Sequence, residues 1–360
     1  MRKAAPQASR QEFRPREILF TLLAVSGALA GVLLVLELGL RTFLPQVDAE
    51  RWFESNPRYG HVLKKNFSQR YRYPDAGVEI EVKTNSLGLR DREYDFNRPD
   101  LKRVVLLGDS FTFGEGLNAE DNFDSRLEAL LMQWQENYIV LNTGVGGWGT
   151  VQETLYAVDH FAVLRPDVIV LTFCGNDPSD DVAFSQRTVD NERGRLPFPG
   201  KIFLRDHSHL YRYVYYTLTK LQHIRKMKQK KLEHPELVLD GQSSTLISEA
   251  EWSRTLQRIR EFHRQFLTFN PNGILLVQST YPHNESIQVH LRSLTNDTNL
   301  VYVDLYDAVV HLGLEHLRLP YDGHWTPEVH ELSAQALFAT IQRLETVRTS
   351  RNGAHLTSVR

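Results

Sequence analysis

A short apolar run that stops on Asp-Ser constrains this chain more than any other feature. Val104–Gly108 sets four apolar side chains in a row before a glycine, too short for a helix and right for a strand buried on both faces. A strand covered on both faces belongs to a mostly parallel sheet with helices above and below. The strand stops at Asp109-Ser110, and the segment up to Gly116 leads through a glycine-bounded loop towards a helix. A serine at the carboxyl end of such a strand stands where open α/β sheets place their ligands and chemistry. The remaining chain must then be asked for a base and for donors to an oxyanion.

From Val104 onward strand and helix patterns alternate. Further strands are expected at Tyr138–Asn142, Val168–Phe173, Gly273–Val277 and Leu300–Asp304. Phe123, Leu127, Leu130, Leu131 and Trp134 share one helical face. Thr150-x-x-Glu153 and Ser248-x-x-Glu251 read as capping boxes ahead of two more amphipathic helices. Thr326-Pro327 opens a last helix, with Ala334, Leu337, Phe338 and Ile341 as its buried stripe. The pattern predicts an α/β fold with a parallel sheet covered on both faces, spanning residues 101–345.

One connection is longer than an ordinary crossover. Residues 178–272 insert between the third and fourth strands and contain a predicted helix around 210–231, ending in Arg225, Lys226, Lys228, Lys230 and Lys231. Such a run is ordinarily a solvated face, and its sharper reading is a contact for anionic lipid headgroups or an anionic glycan. Residues 346–360 read as a frayed tail.

The N-terminal third has a different character. Residues 1–17 are polar and basic, and Ile18–Leu36 then run 19 residues without a charge. As a helix that run spans roughly 28 Å, close to one hydrocarbon thickness. Basic residues before it favour a cytoplasmic N-terminus and a remainder on the extracytoplasmic side, periplasmic in a Gram-negative cell. Ala28-Leu29-Ala30 resembles a signal-peptide cleavage box, but the apolar run continues past it, so an uncleaved anchor over residues 18–40 is expected. Glu37 and Arg41 stand i, i+4 at its far end, where they can pair. Gly27 and Gly31 form a GxxxG pair that offers a weak homodimer contact. Residues 41–100 form a juxtamembrane arm, in which the alternation of residues 78–82 predicts a hairpin or edge strand. The run Asn85–Asp91 carries turn residues and is expected to pack the arm on the core.

Composition sets limits on function. A net charge of −2 gives no global field for recruiting nucleic acid. A single cysteine, Cys174, rules out an internal disulfide framework and a thiolate-rich zinc site.

A serine hydroxyl is a poor nucleophile without a general base. Tyr321–Pro327 supplies one: Asp322 and His324 are two residues apart in a loop before the last helix, so one carboxylate can hold the imidazole Nδ1 and leave Nε2 for the serine proton. For the oxyanion, the loop after the second strand (Asn142–Thr150) offers a backbone N–H, most plausibly that of Gly144. The loop after the third strand offers the Asn176 side-chain amide, and Ser110 N–H completes a set of three donors.

The blocks GDSFTFG around Ser110, the glycine loop at Gly144, GND at Gly175–Asp177 and DGH at Asp322–His324 together resemble the signatures of SGNH (GDSL-type) hydrolases, in the right order over residues 101–345. The resemblance implies a flavodoxin-like three-layer α/β/α fold with a five-stranded parallel sheet. It also implies Ser110, His324 and Asp322 as a catalytic triad, and Ser110, Gly144 and Asn176 as the oxyanion hole. The anchor and the Asn85–Asp91 run look like a membrane-anchored bacterial subgroup.

Competing patterns are weaker. Gly144, Gly146 and Gly149 satisfy GxGxxG, but after the second strand and without the ribose-binding acid that a dinucleotide site needs. Thr112 removes the second glycine of a GxSxG elbow. His311 and His316 lack the companions of a metal site, and neither metal nor cofactor is expected. Asp109 and Asp177 read as turn holders, and Cys174 as a small core residue. The expectation is a serine esterase acting on an acylated glycan or lipid. An O-acyltransferase using the same residues, or a non-catalytic glycan-binding scaffold, stands as the alternative.

Overall fold

The computed structural model describes residues 15–44, 52–72, 77–192, 200, 203–204, 207–215, 217–218, 221, 225, 247–295, 298–313 and 316–357. The chain divides into two compact units. One holds residues 1–48 and 197–233, and the other residues 49–196 and 234–360.

The first unit contains α1 (Pro15–Phe43), the one described helix long and apolar enough to cross a membrane. Its 29 residues reach roughly 43 Å. Its apolar side chains face outward along the whole length, none buried by protein. The pairing expected at its end is present: Arg41 Nε donates to Glu37 Oε1 at 2.7 Å. Of the basic run in the insertion, Arg225 is described and exposed, whereas Lys226, Lys228, Lys230 and Lys231 lie outside the described residues.

The second unit opens with the arm, two antiparallel hairpins: β1 (Phe53–Asn56) with β2 (Gly60–Leu63), and β3 (Ser68–Arg72) with β4 (Glu79–Lys83). The alternation over residues 78–82 is borne out, with Ile80 and Val82 buried and their neighbours turned outward. The core sheet has five parallel strands: β5 (Lys102–Gly108), β6 (Tyr138–Asn142), β7 (Val168–Phe173), β8 (Ile274–Ser279) and β9 (Leu300–Tyr302). Their spatial order is β6-β5-β7-β8-β9. Val105 sits between Leu141 of β6 and Ile169 of β7, so β5 is the strand at which the chain reverses direction across the sheet. That switch point opens a crevice at the carboxyl ends of the strands.

Period-2 alternation divides the strand side chains between two cores. Val104 and Leu106 pack with α3 (Phe123–Trp134) and the last helix, through Leu127, Leu131, Leu337 and Ile341. Val105 and Leu107 pack on the other face with α4 (Thr150–Leu164) and α6 (Glu249–Phe269), through Phe161, Ile259 and Phe266. Between α4 and α6 the chain forms β7 and α5 (Asp177–Glu192), a helix at the start of the long connection that sequence patterning did not resolve. Towards the C-terminus follow α7 (Glu285–Arg292), α8 (Tyr306–Val309) and α9 (Pro327–Thr357).

Several boundaries depart from expectation: the first strand begins at Lys102 rather than Val104, and the fifth ends at Tyr302 rather than Asp304. The fourth strand runs on to Ser279, because β7 offers it a partner as far as Phe173. Helix α4 is capped by Gly149 rather than Thr150, which stands inside the first turn with its hydroxyl donating to Asp177 Oδ2 at 3.0 Å. The segment 346–360 is not a frayed tail from its start, since α9 continues to Thr357. The Ser248 cap holds as read, with Glu251 N–H donating to Ser248 Oγ.

A third cluster places the arm on the site. Trp52, Tyr59, Leu63, Ile80 and Val82 pack against Phe113, Val145 and Trp148, which flank the loops after β5 and β6. Trp52 and Phe113 stack with ring centroids 5.8 Å apart. Full burial of side chains of this size contributes about 1.5–3 kcal/mol each, so the arm is part of the catalytic-domain core.

Candidate active site

Ser110 begins α2 (Ser110–Phe113), a single helical turn held at both ends. Asp109 caps it, its carboxylate accepting from Phe111 N–H at 3.0 Å. Gly114 closes it with φ +82°, a left-handed conformation that favours glycine. A turn this short cannot hold itself, and its carbonyls are gripped from outside. Asn122 and Asn142 both donate to Thr112 O, at 3.0 and 2.8 Å. The buried Arg90 guanidinium donates to Phe113 O (2.8 Å), Gly114 O (2.7 Å) and Leu117 O (2.5 Å), and its plane covers the Phe113 ring.

His324 comes from the loop between Arg318 and Trp325, which pair as an isolated antiparallel bridge. Gly323 turns the loop with φ +88°, and Leu319 N–H donates to His324 O at 2.7 Å. Trp325 anchors it in the core, and the Phe111 ring packs 4.7 Å from the imidazole. Asp322 and His324 are hydrogen-bonded through Oδ1 and Nδ1. With Nδ1–H given to the carboxylate, Nε2 carries the lone pair and accepts from the Ser110 hydroxyl at 2.7 Å. Ser110, His324 and Asp322 therefore meet in one hydrogen-bonded chain.

Burial works against a charged His324. The hydrogen bond and charge of Asp322, with Glu115 and Asp109 adding theirs, outweigh it and raise the imidazole above its ordinary value. An imidazole so placed can take the serine proton and be stabilised as the imidazolium that results.

The donor side differs from the sequence reading at one position. Gly144 N–H donates to Asn142 Oδ1 at 2.9 Å. A Cβ on Gly144 would strike Phe113 N and Thr112, so this glycine exists to let the loop lie against α2. Gly144 N–H, expected as an oxyanion donor, is thus engaged by the Asn142 side chain. The glycine beside the serine is Gly146, where an added Cβ would stand 3.7 Å from Ser110 Cβ. The Gly146 carbonyl accepts from His61 Nε2 at 2.8 Å, so that nitrogen of His61 carries the proton. Carbonyl and N–H of one trans peptide point in opposite directions, so Gly147 N–H points away from His61. Among the described residues neither it nor Ser110 N–H has an acceptor. Asn176 Nδ2 donates to Asp180 Oδ2 at 2.6 Å, and its side chain also hydrogen-bonds the Asp109 carboxylate.

Other singled-out residues hold the frame. Asp177 accepts from Thr150 Oγ1 and from Cys174 N–H (3.2 Å), fixing the turn after β7. Cys174 is buried, and burial pushes its thiol well up, away from the reactive thiolate. Among the described residues no three His, Cys, Asp or Glu side chains are grouped to hold a metal ion. Sequence reasoning missed Arg90, Asn142 and His61. A buried arginine in a turn-rich run carries no distinguishing pattern, and pairing of His61 with a loop 85 residues away leaves none.

Residues 106–332 match the GDSL-like lipase/acylhydrolase family. Solved structures similar to this chain include a family 3 carbohydrate esterase from Clostridium thermocellum, with 16% identity, 69% of this chain and 98% of that one covered, and a TM-score of 0.40. A lipase/acylhydrolase from Enterococcus faecalis shares 14% identity over 67% of this chain and 95% of its own, with a TM-score of 0.39. A lipolytic G-D-S-L protein from Veillonella parvula shares 12% identity over 68% and 100%, also with a TM-score of 0.39. No curated protein matches the sequence. The chain belongs to the GDSL-like lipase/acylhydrolase family and is a hydrolase acting on ester bonds.

Proposed function

We propose that the protein is a membrane-anchored serine esterase that removes O-acyl groups from an extracytoplasmic carbohydrate or lipid. The observation that carries this reading is the chain from Ser110 Oγ through His324 to Asp322. The Ser110 oxygen attacks the ester carbonyl as its proton passes to His324 Nε2. Asp322 orients the imidazole and balances its charge. The proton then goes to the departing alcohol, leaving an acyl-serine. Water, deprotonated by the same nitrogen, attacks the acyl carbon and releases the acid, and the proton returns to Ser110. Ser110 N–H and Gly147 N–H receive the oxyanion, with the Asn176 side-chain amide as the third donor, and His61 fixes the Gly146–Gly147 peptide that presents the Gly147 N–H.

The anchor is α1, supported by its length and uniformly outward apolar surface. Its basic approach from the N-terminus supports placing the catalytic domain outside the cytoplasm, where acylated envelope polymers and lipids are the ester substrates within reach. The test compares wild type with Ser110→Ala on a short-chain acyl ester. Loss of turnover by at least about a thousandfold is expected, and equal turnover overturns the assignment.

A further inference from the structure

Glu37 does more than pair with Arg41. Its Oε1 accepts from His209 N–H (2.9 Å), and its Oε2 accepts from Leu210 N–H (2.9 Å) and Ser208 Oγ (2.9 Å). Arg41 Nη2 donates to His207 O at 2.5 Å. The carboxylate thus satisfies the open N–H groups at the start of the helical stretch 209–215, where a negative charge is favoured. The staple lies within one compact unit of the chain, one residue past the last apolar residue of the uncharged run, Leu36. The insertion is therefore fastened to α1 at the level where a span passes from hydrocarbon to headgroups.

Beyond the staple the described helical positions carry an apolar stripe. Val214, Leu218 and Leu221 stand at i, i+4 and i+7 and are 46%, 55% and 47% exposed. Phe203, ahead of the staple, is 63% exposed. A stripe at helical spacing ordinarily faces a core, and this one faces outward, as the apolar side chains of α1 do. Tyr211 and Tyr215 stack on the same helix, and aromatic side chains with a polar tip settle at membrane interfaces.

We infer that the described residues of 203–221 form an interfacial segment that lies on the lipid surface, its apolar stripe in the headgroup–acyl boundary of the leaflet that α1 leaves. The occupant of the stripe is the bilayer itself. An amphipathic helix in this position buries its apolar face roughly 5–10 Å into that boundary. Held at one end by α1 and along its length by lipid, the segment makes the enzyme a surface-riding one. The inference rests on reading α1 as a span.

The experiment uses the full chain in phosphatidylcholine–phosphatidylglycerol nanodiscs carrying nitroxide lipids labelled at the headgroup or deep in the acyl chain. The native thiol is buried, so bimane is attached in turn at Leu218→Cys, Leu221→Cys, Leu29→Cys within α1, and Met132→Cys at an exposed position of α3. Expected is quenching of Leu218→Cys and Leu221→Cys by the headgroup nitroxide, quenching of Leu29→Cys by the deep one, and no loss at Met132→Cys. If Leu29→Cys is quenched while both stripe positions behave like Met132→Cys, the lipid-surface inference is overturned and the span stands. If Leu29→Cys is unquenched, the span reading falls and takes the inference with it.

Discussion

His61 Nε2 donates to the Gly146 carbonyl at 2.8 Å, tying the first hairpin of the arm to the loop beside the nucleophile. The Phe53 ring meets the imidazole edge-on at 5.0 Å, and Trp148 Nε1 donates back to His61 O at 3.0 Å. The peptide between Gly146 and Gly147 has no side chain to hold it, so its orientation is imposed by the imidazole.

That relationship predicts a split between kinetic constants. In His61→Leu the peptide loses its anchor, and kcat should fall about 10–100-fold, short of the 10²–10³ that follows removal of an oxyanion donor. KM should hardly move. His61→Gln places an amide N–H near the same point and should recover most of the loss. A deficit shared equally by Leu and Gln variants of unchanged melting temperature would contradict the positioning role.

The pH profile reports on His324. The reaction needs the neutral imidazole, so kcat/KM should rise with pH through an inflection above the ordinary histidine value of about 6.5, since the folded group is raised. In Asp322→Asn the raising partner is removed and burial is left to dominate, so the inflection should move to lower pH. The plateau should fall by on the order of 10⁴. Profiles of both proteins on one ester substrate are the measurement.

Arg90 is expected to matter for stability as much as for turnover. Arg90→Met takes the guanidinium from the Phe113, Gly114 and Leu117 carbonyls; the first two keep only longer bonds, from Asn122 Nδ2 (3.4 Å) and Leu117 N–H (3.2 Å), and a buried carbonyl left unpaired costs about 1–3 kcal/mol. Urea titration in detergent should show a loss of at least about 2 kcal/mol by that reasoning. Arg90→Lys keeps the charge but not the fork, and should recover only part of it.

A carboxyl pair beneath the arm should shape stability against pH. Burial, and then their mutual repulsion, raises Asp91; burial also raises Asp124, which accepts from Asn142 Nδ2 at 3.1 Å. The folded protein therefore holds a proton that the unfolded chain releases near the ordinary carboxyl value of about 4. Stability should decline as pH rises from there towards the raised folded values. Asp124→Asn keeps an acceptor for Asn142 and removes the charge, so its melting temperature should gain on wild type at pH 8 more than at pH 5.

The sheet and the serine-to-aspartate chain were legible because each rests on local pattern: runs such as Val104–Gly108 and Val168–Phe173 have one physical use, and Asp322 and His324 are near neighbours. The choice among glycines was not. Gly144, Gly146 and Gly147 are alike as letters, and what separates them is a side chain, Asn142, that takes the first amide, and another, His61, that turns the third. The cap of α4 slipped by one residue for the same reason, since the Thr150 side chain is turned towards Asp177, 27 residues away. The reach of Arg90 into the nucleophile turn was hidden inside a run that looks like a connector.

The grip of Arg90 and His61 bears on how much of the chain is needed for catalysis. The family signature begins at residue 106, and a fragment cut there would retain every reacting atom yet lose the hands that hold them. Three carbonyls behind Ser110 would open to water, and the peptide beside it would swing. A fragment that keeps both grips and the stack on Phe113 must reach back at least to Trp52.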